Sequence, residues 1–421
     1  MLLAALLMMF LVSTYLEVPL YITSTLFVPA FFTLLFLVPV LMVVYHRRIY
    51  KYEALFVGQV FLVLLLTALL SPGFEYLDQK LLGLLQTMAS IVSGILLLKL
   101  IKDLPARLTA RILLALSLLL LVGASLEVVG LLRGVSDAFR ETVYGGEGSY
   151  FVYNADERDA GITGFTRPKF FTSEPSLLAI GFFVFVNSWL VLSHNRKNLV
   201  IVCIGTLLMM VMTGSLVIAL SLFVSLSILL YQEKSVAAVG AIASLVGAAS
   251  LLLVFTTPDL ISNLLERVDN IFESGSVLYP GSEQIRLVFP FITMIDVLLA
   301  SPIFGVGISG KEVIARYSSL PLDPELALGT NVLAMSFVYL GVVGALLFVG
   351  AFRIYWRRLR IRQVALLVIL ILALSQMMGG FETPRFWGYT FLFIAVLQKR
   401  AHDGSLEPVT PASDTSHKKL L

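Results

Sequence analysis

Asn331-Val-Leu-Ala-Met-Ser-Phe-Val-Tyr-Leu-Gly-Val-Val-Gly-Ala-Leu-Leu-Phe-Val-Gly-Ala-Phe352 runs 22 residues without a charge, and Arg353-Ile-Tyr-Trp-Arg-Arg-Leu-Arg-Ile-Arg362 follows with five arginines in ten residues. A hydrocarbon core of about 30 Å needs roughly 20 apolar residues of helix. The first stretch therefore reads as a membrane span, and the second as its basic stop with an aromatic belt. Runs of the same kind fall near 2–18, 21–45, 53–71, 81–101, 112–132, 175–193, 199–213, 216–231, 236–256, 331–352, 364–379 and 387–398, twelve in all. Composition agrees: 58% of residues are hydrophobic, 14% are charged and the mean hydropathy is +0.93. Soluble domains carry about 25% charged residues. An ordinary cytosolic enzyme, a disordered chain, a coiled coil and a disulfide-rich secreted domain are excluded. The single cysteine, Cys203, excludes an intrachain disulfide, a zinc finger and an iron–sulfur site. The expected fold is all-α: a polytopic helical bundle of about 12 transmembrane helices, with two larger outward segments containing interfacial helices. No basic leader precedes 2–18, so that run is expected to stay in place as a helix.

Orientation follows from the loops. With the N-terminus inside, the inner loops are 46–52, 99–111, 194–198, 232–235, 353–362 and a tail from 399. They hold 19 Lys and Arg and, with Glu53 at their edge, six acids; the rest of the chain holds 11 basic and 21 acidic residues. The bias puts both ends in the cytoplasm. Residues 1–398 are expected to form one transmembrane domain, and 399–421 a disordered cytoplasmic tail. The inner loops are short and carry no Walker sequence, so no nucleotide-hydrolysing domain faces the cytoplasm. The large segments, 133–173 and 257–330, face outward, and the working surface is expected there.

In the first outward segment, the glycines and aromatics of 144–159 would suit sugar rings, but a solvated loop is the preferred reading. The segment ends in Gly164-Phe-Thr-Arg-Pro-Lys-Phe-Phe-Thr-Ser-Glu-Pro-Ser176. Pro175 suits the first position of a helix, and a carboxylate at Glu174 suits the helix dipole. The alternative for Glu174 is chemical: a carboxylate at the outer rim, beside Arg167 and Lys169, could take a proton from a sugar hydroxyl. In the second segment, Leu260, Ile261, Leu264, Leu265, Val268 and Phe272 share one helical face, which predicts a surface helix over 259–273. The interrupted apolar stretch from Gln284-Ile-Arg286 to Ala300 is placed at the interface, where Arg286 could simply snorkel. Gly305, Gly307 and Gly310 have dinucleotide-fold spacing but lack its strand, helix and later acid. A tight turn, or backbone N–H groups converging on a phosphate oxygen, remains for them. The four histidines, His46, His194, His402 and His417, all fall on inner loops or the tail. Outward acid–base chemistry must then use carboxylates, and charge stabilisation must use Arg, Lys or backbone N–H.

Three stretches together resemble the O-antigen polymerase and ligase superfamily of bacterial membrane glycosyltransferases. They are Arg167…Phe170-Phe-Thr-Ser-Glu-Pro-Ser-Leu-Leu-Ala179, then Gln284-Ile-Arg286 with Ser301-Pro-Ile-Phe-Gly-Val-Gly307, then Asn331 opening a span that holds Gly341-Val-Val-Gly344. The resemblance covers roughly residues 160–350; the first five spans share only hydropathy. Two positions depart from the family pattern. Thr213-Gly-Ser215 is followed by Leu216 rather than an arginine, and Thr330 stands where ligases usually have histidine. The second departure favours polymerase over ligase.

The resemblance implies an inner-membrane enzyme with its site facing the periplasm or exterior. It would polymerise undecaprenyl-diphosphate-linked oligosaccharide units into O-antigen, capsule or exopolysaccharide. Arg167 and Arg286 would stabilise the departing diphosphate and Glu174 would be the base, with Lys169, Ser176, Gly305, Gly307, Thr330 and Asn331 contacting sugar or phosphate. The implied partners are the lipid-linked glycan, membrane lipid and a chain-length co-polymerase; no nucleic acid, cofactor or metal is expected. The alternatives are an O-antigen ligase and, from another class, a twelve-span transporter or lipid-carrier flippase.

Overall fold

A computed structural model describes residues 1–21, 27–28, 30–44, 50–145, 156, 165–193, 196–214, 217–232, 288–308, 311–320, 331–357 and 359–403. The run 236–256, the helix expected over 259–273, Arg286, Thr330 and the tail beyond 403 lie outside the described residues, as does nearly all of 144–159.

The described chain is helical apart from one short strand pair. It runs α1 (Leu2–Leu16), β1 (Leu20–Tyr21), β2 (Phe27–Val28), a π-helical turn (Phe32–Leu37), α2 (Val38–Val44), α3 (Lys51–Leu70), a 3-10 turn (Phe74–Tyr76), α4 (Leu77–Asp103), α5 (Ala106–Val128) and α6 (Arg133–Tyr144). It continues through α7 (Pro175–Leu192), α8 (Arg196–Thr213), α9 (Val217–Gln232), α10 (Phe289–Ala300), α11 (Lys311–Tyr317), α12 (Val332–Ala351), α13 (Arg353–Trp356), α14 (Ile361–Met377) and α15 (Pro384–Asp403). Among the described residues, five helices are long and apolar enough to cross a membrane: Lys51–Leu70, Phe74–Asp103, Ala106–Val128, Pro175–Leu192 and Val332–Trp356.

Two expectations are corrected. The run 21–45 is not one helix. Leu20 pairs with Val28 and Tyr21 with Phe27 before the π-turn begins. The β-branched run Ile22-Thr23 and Thr25, with Pro29 and Pro39 after it, disfavours a continuous helix here. Within the outward segment 133–173, residues 133–144 form the helix α6. Finally, α15 runs on to Asp403, past the expected start of the tail at 399.

The core is built around α7 and α15. All of α7 is buried except Leu177 and Leu192; α15 packs on α4, α7, α14 and α1, and α5 covers α7. Small residues allow the closest approaches: at Gly94 of α4, an added Cβ would lie 3.0 Å from the Trp387 carbonyl oxygen of α15. Polar groups also link helices. Asn187 Nδ2 donates to Ser221 Oγ at 2.9 Å, and Ser225 Oγ donates to Asn187 Oδ1 at 2.8 Å. The periphery is apolar, with Leu62, Leu119 and Leu346 exposed on α3, α5 and α12. In water such a surface would be an aggregation liability; against lipid tails it carries no such cost.

Residues assigned to the inner side by the sequence meet at one end of the bundle. Glu53 pairs with Lys99, and Lys399 Nζ donates to the carbonyls of Ile101, Lys102 and Leu104. Arg400 donates to Val191 O at 2.6 Å. Gln398 Nε2 donates to Tyr355 O at 3.2 Å.

Candidate functional site

At the other end, residues 165–174 form an ordered loop leading into α7. Phe170 and Phe171 have φ of 39° and 65°, left-handed values that cost bulky residues on the order of 1–3 kcal/mol each and need support from their surroundings. That support comes from three helices. Glu127 of α5 accepts from the Lys169 and Phe170 amides through Oε2, at 3.2 and 2.6 Å. Ser136 Oγ of α6 accepts from the Phe171 amide at 3.0 Å. Arg140 of α6 donates from Nε to Thr172 O at 2.9 Å and from a terminal nitrogen to Ser173 O at 3.2 Å. From α1, the Tyr15 hydroxyl donates to Phe170 O at 2.9 Å. The Phe170 ring lies over Gly123 of α5 where any Cβ would collide with it.

Each expected site residue of this segment has a definite place. Arg167 Nε donates to the Thr213 carbonyl at the C-terminus of α8. Lys169 Nζ pairs with Asp156 at 2.6 Å with its side chain only 3% exposed, so it anchors the loop. Glu174 is half-buried and stands at the N-cap of α7, followed by Pro175, yet its side chain makes no capping hydrogen bond. Ser176 is buried in the first turn of α7. These four lie on one continuous, fixed segment with two cationic side chains and a carboxylate.

The other candidates sit elsewhere. Asn331 is fully buried and caps α12: Oδ1 accepts from the Ala334 amide at 3.1 Å, while Nδ2 donates to Gln376 at 2.8 Å. Gly305 and Gly307, with φ of 61° and 80°, lie in a loop that docks into a break in α12 at Gly341. The Gly305 amide donates to Ser301 O, that of Val306 to Val338 O and that of Gly307 to Tyr339 O, at 3.2, 2.9 and 3.0 Å. These three amides are committed within the fold, while Gly310, the third glycine of the spacing, lies outside the described residues.

Sequence reading missed Glu127, Arg140 and Lys80. Glu127 had a signal: it is the single charge within 112–132, and an ionisable group inside an apolar span is unusual. Arg140 gave no signal of its own among the charged residues of the outward segment. Lys80 is fully buried; its Nζ donates to Ser71 Oγ at 2.8 Å and to Pro72 O at 2.5 Å, just past the end of α3.

No protein-family model matches the chain, and no curated protein matches it.

Proposed function

We propose that this chain is a membrane glycosyltransferase that polymerises polyprenyl-diphosphate-linked oligosaccharides at the bundle end carrying residues 165–174, which faces the periplasm or exterior. The supporting observation is the clamped segment, which carries Arg167 and leads into Glu174 at the start of α7. In the proposed step an acceptor sugar hydroxyl attacks the anomeric carbon of the donor. A glycosidic bond forms, the bond from that carbon to the diphosphate oxygen breaks, and the hydroxyl proton passes to Glu174. Arg167, a permanently charged guanidinium whose Nε donates to the Thr213 carbonyl, meets the negative charge gathering on the departing diphosphate. Arg286, carried over from the resemblance, shares that task. Lys169 serves by holding the loop through Asp156.

A polymerase fits better than a transporter. Transporters use broken helices whose freed backbone groups line a substrate path. Here the break at Gly341 is filled: Val342 N donates to Pro302 O at 2.8 Å, and Val343 and Gly344 donate to Ile303 O at 3.2 and 3.3 Å.

The test is reconstitution of the purified protein in liposomes with a defined undecaprenyl-diphosphate-linked repeat unit, and display of the products on a gel. Long-chain glycan is expected from the wild type and none from Arg167→Ala or Arg286→Ala at normal insertion levels. Full-length product from the double variant, or none from the wild type, overturns the reading.

A further inference from the structure

The loop that carries Arg167 and leads to Glu174 is fixed by two charged side chains that lie outside it in sequence. We infer that Glu127 and Arg140 are positioning residues for glycosyl transfer, setting the 169–173 backbone so that Arg167 and Glu174 stand in working register. The inference rests on the glycosyltransferase reading of that segment. Three observations carry it. First, consecutive left-handed φ values at Phe170 and Phe171 persist only where surroundings over-determine them, and Glu127 and Arg140 bind the backbone on either side of that bend. Second, the Glu127 carboxylate, 5% exposed, makes no ion pair among the described residues and spends its charge on two amides of the loop. Packing alone does not need a charge there, since well-packed apolar groups replace buried charged groups at little cost. Third, Arg140, 2% exposed, reaches two successive carbonyls, those of Thr172 and Ser173, from one planar guanidinium, a geometry that lysine cannot copy. Glu174 follows Ser173 directly, so a shift of the clamp moves the proposed base. A displacement of about 1 Å at a catalytic group can cost roughly 100-fold in rate.

The test pairs a protease readout, independent of the reaction, with turnover. In the purified wild type the Lys169–Phe170 bond should resist trypsin, because the lysine side chain is buried; Arg167 precedes proline and is a poor site in any state. Glu127→Ala and Arg140→Ala should open the Lys169–Phe170 bond and lower kcat per folded molecule about 100-fold, with the acceptor KM nearly unchanged. Glu127→Gln, whose amide oxygen still accepts from the loop, should restore protection and most of the turnover. Arg140→Lys keeps the charge without the fork and should remain open and slow; it serves in place of the alanine variant if that one fails to insert. A closed loop in Glu127→Ala and Arg140→Lys, or an open loop with full turnover, overturns the inference. A wild type that forms no polymer overturns the proposed function and, with it, the catalytic half of this inference. The trypsin pattern then still decides whether the two residues hold the loop.

Discussion

Glu174 shows how little the identity of one residue says until its surroundings are known. A carboxylate before Pro175 suits a helix N-terminus for purely electrostatic reasons. The side chain makes no capping hydrogen bond to α7, so at the helix end itself its charge acts through the dipole, and glutamine keeps its size and its ability to accept a hydrogen bond. Glu174→Gln should therefore leave the thermal unfolding midpoint in detergent nearly unchanged. It should lower polymer formation by about 10²–10⁴-fold if the carboxylate takes the hydroxyl proton. Unfolding curves and initial rates from the same preparation separate the two roles, and a fully active glutamine variant would reduce Glu174 to a helix-end charge. Sequence could nominate Arg167, Lys169 and Glu174 because they are neighbours along the chain. It could not find their supports: Glu127 stands 42 residues from the Lys169 amide and 43 from that of Phe170. Nor could it see that the Asn331 amide is used up between α12 and Gln376. A short motif carries no record of which of its polar groups are already bonded.

Among the elements, hydropathy was reliable wherever a single apolar run decides the outcome. The runs at 53–71, 81–101, 112–132, 175–193 and 331–352 correspond to the five long helices. It failed where local stereochemistry overrides apolarity, as at 21–45, and it did not bear on a helix that is amphipathic rather than apolar, as α6 is. It also hid the break in α12, because Gly341 sits inside an uninterrupted apolar run. There φ is 64° and ψ is −175°, a region open essentially to glycine alone. An added Cβ would stand 2.5 Å from the Gly305 nitrogen and 2.5 Å from the Ile303 carbonyl carbon. Gly341→Ala thus meets both backbone strain, on the order of 1–3 kcal/mol, and displacement of the 301–308 loop from the carbonyls and amides it satisfies. A marked loss of folded protein is expected, measured by size-exclusion recovery and the unfolding midpoint. Gly350→Ala, on the same helix with open space around it, should behave as wild type. Equal behaviour of the two variants would mean that the loop does not hold the break together.

Across the whole molecule, basic side chains close helix C-termini from neighbouring elements. Lys399 does so for α4, Arg167 for α8, and Lys80 lies against the carbonyl just beyond α3. The last carbonyls of a helix lack partners within it, and in hydrocarbon no water can supply them. A cation also meets the negative end of the dipole. Arg385, at the start of α15, extends this to the joining of the chain's first and last described helices. It donates to Thr14 O at 3.2 Å and Tyr15 O at 2.9 Å, and pairs with Glu17 at 2.7 Å, with both side chains about 5% exposed or less. Removing one partner of such a buried pair costs about 3–5 kcal/mol, because the other charge is left uncompensated. The two removals should nevertheless differ. Glu17→Gln leaves the guanidinium bonded to two carbonyls, whereas Arg385→Met strands a carboxylate and uncovers both carbonyls at once. Arg385→Met is therefore expected to be the more destabilising. In the double variant Glu17→Gln/Arg385→Met the stranded carboxylate is gone while the carbonyls stay uncovered, so part of the arginine loss should be recovered and part should not. Denaturant unfolding of the four proteins as a double-mutant cycle measures that coupling directly. Strictly additive losses would show that the pair contributes nothing as a pair, and that Arg385 joins α1 to α15 through the Thr14 and Tyr15 carbonyls alone.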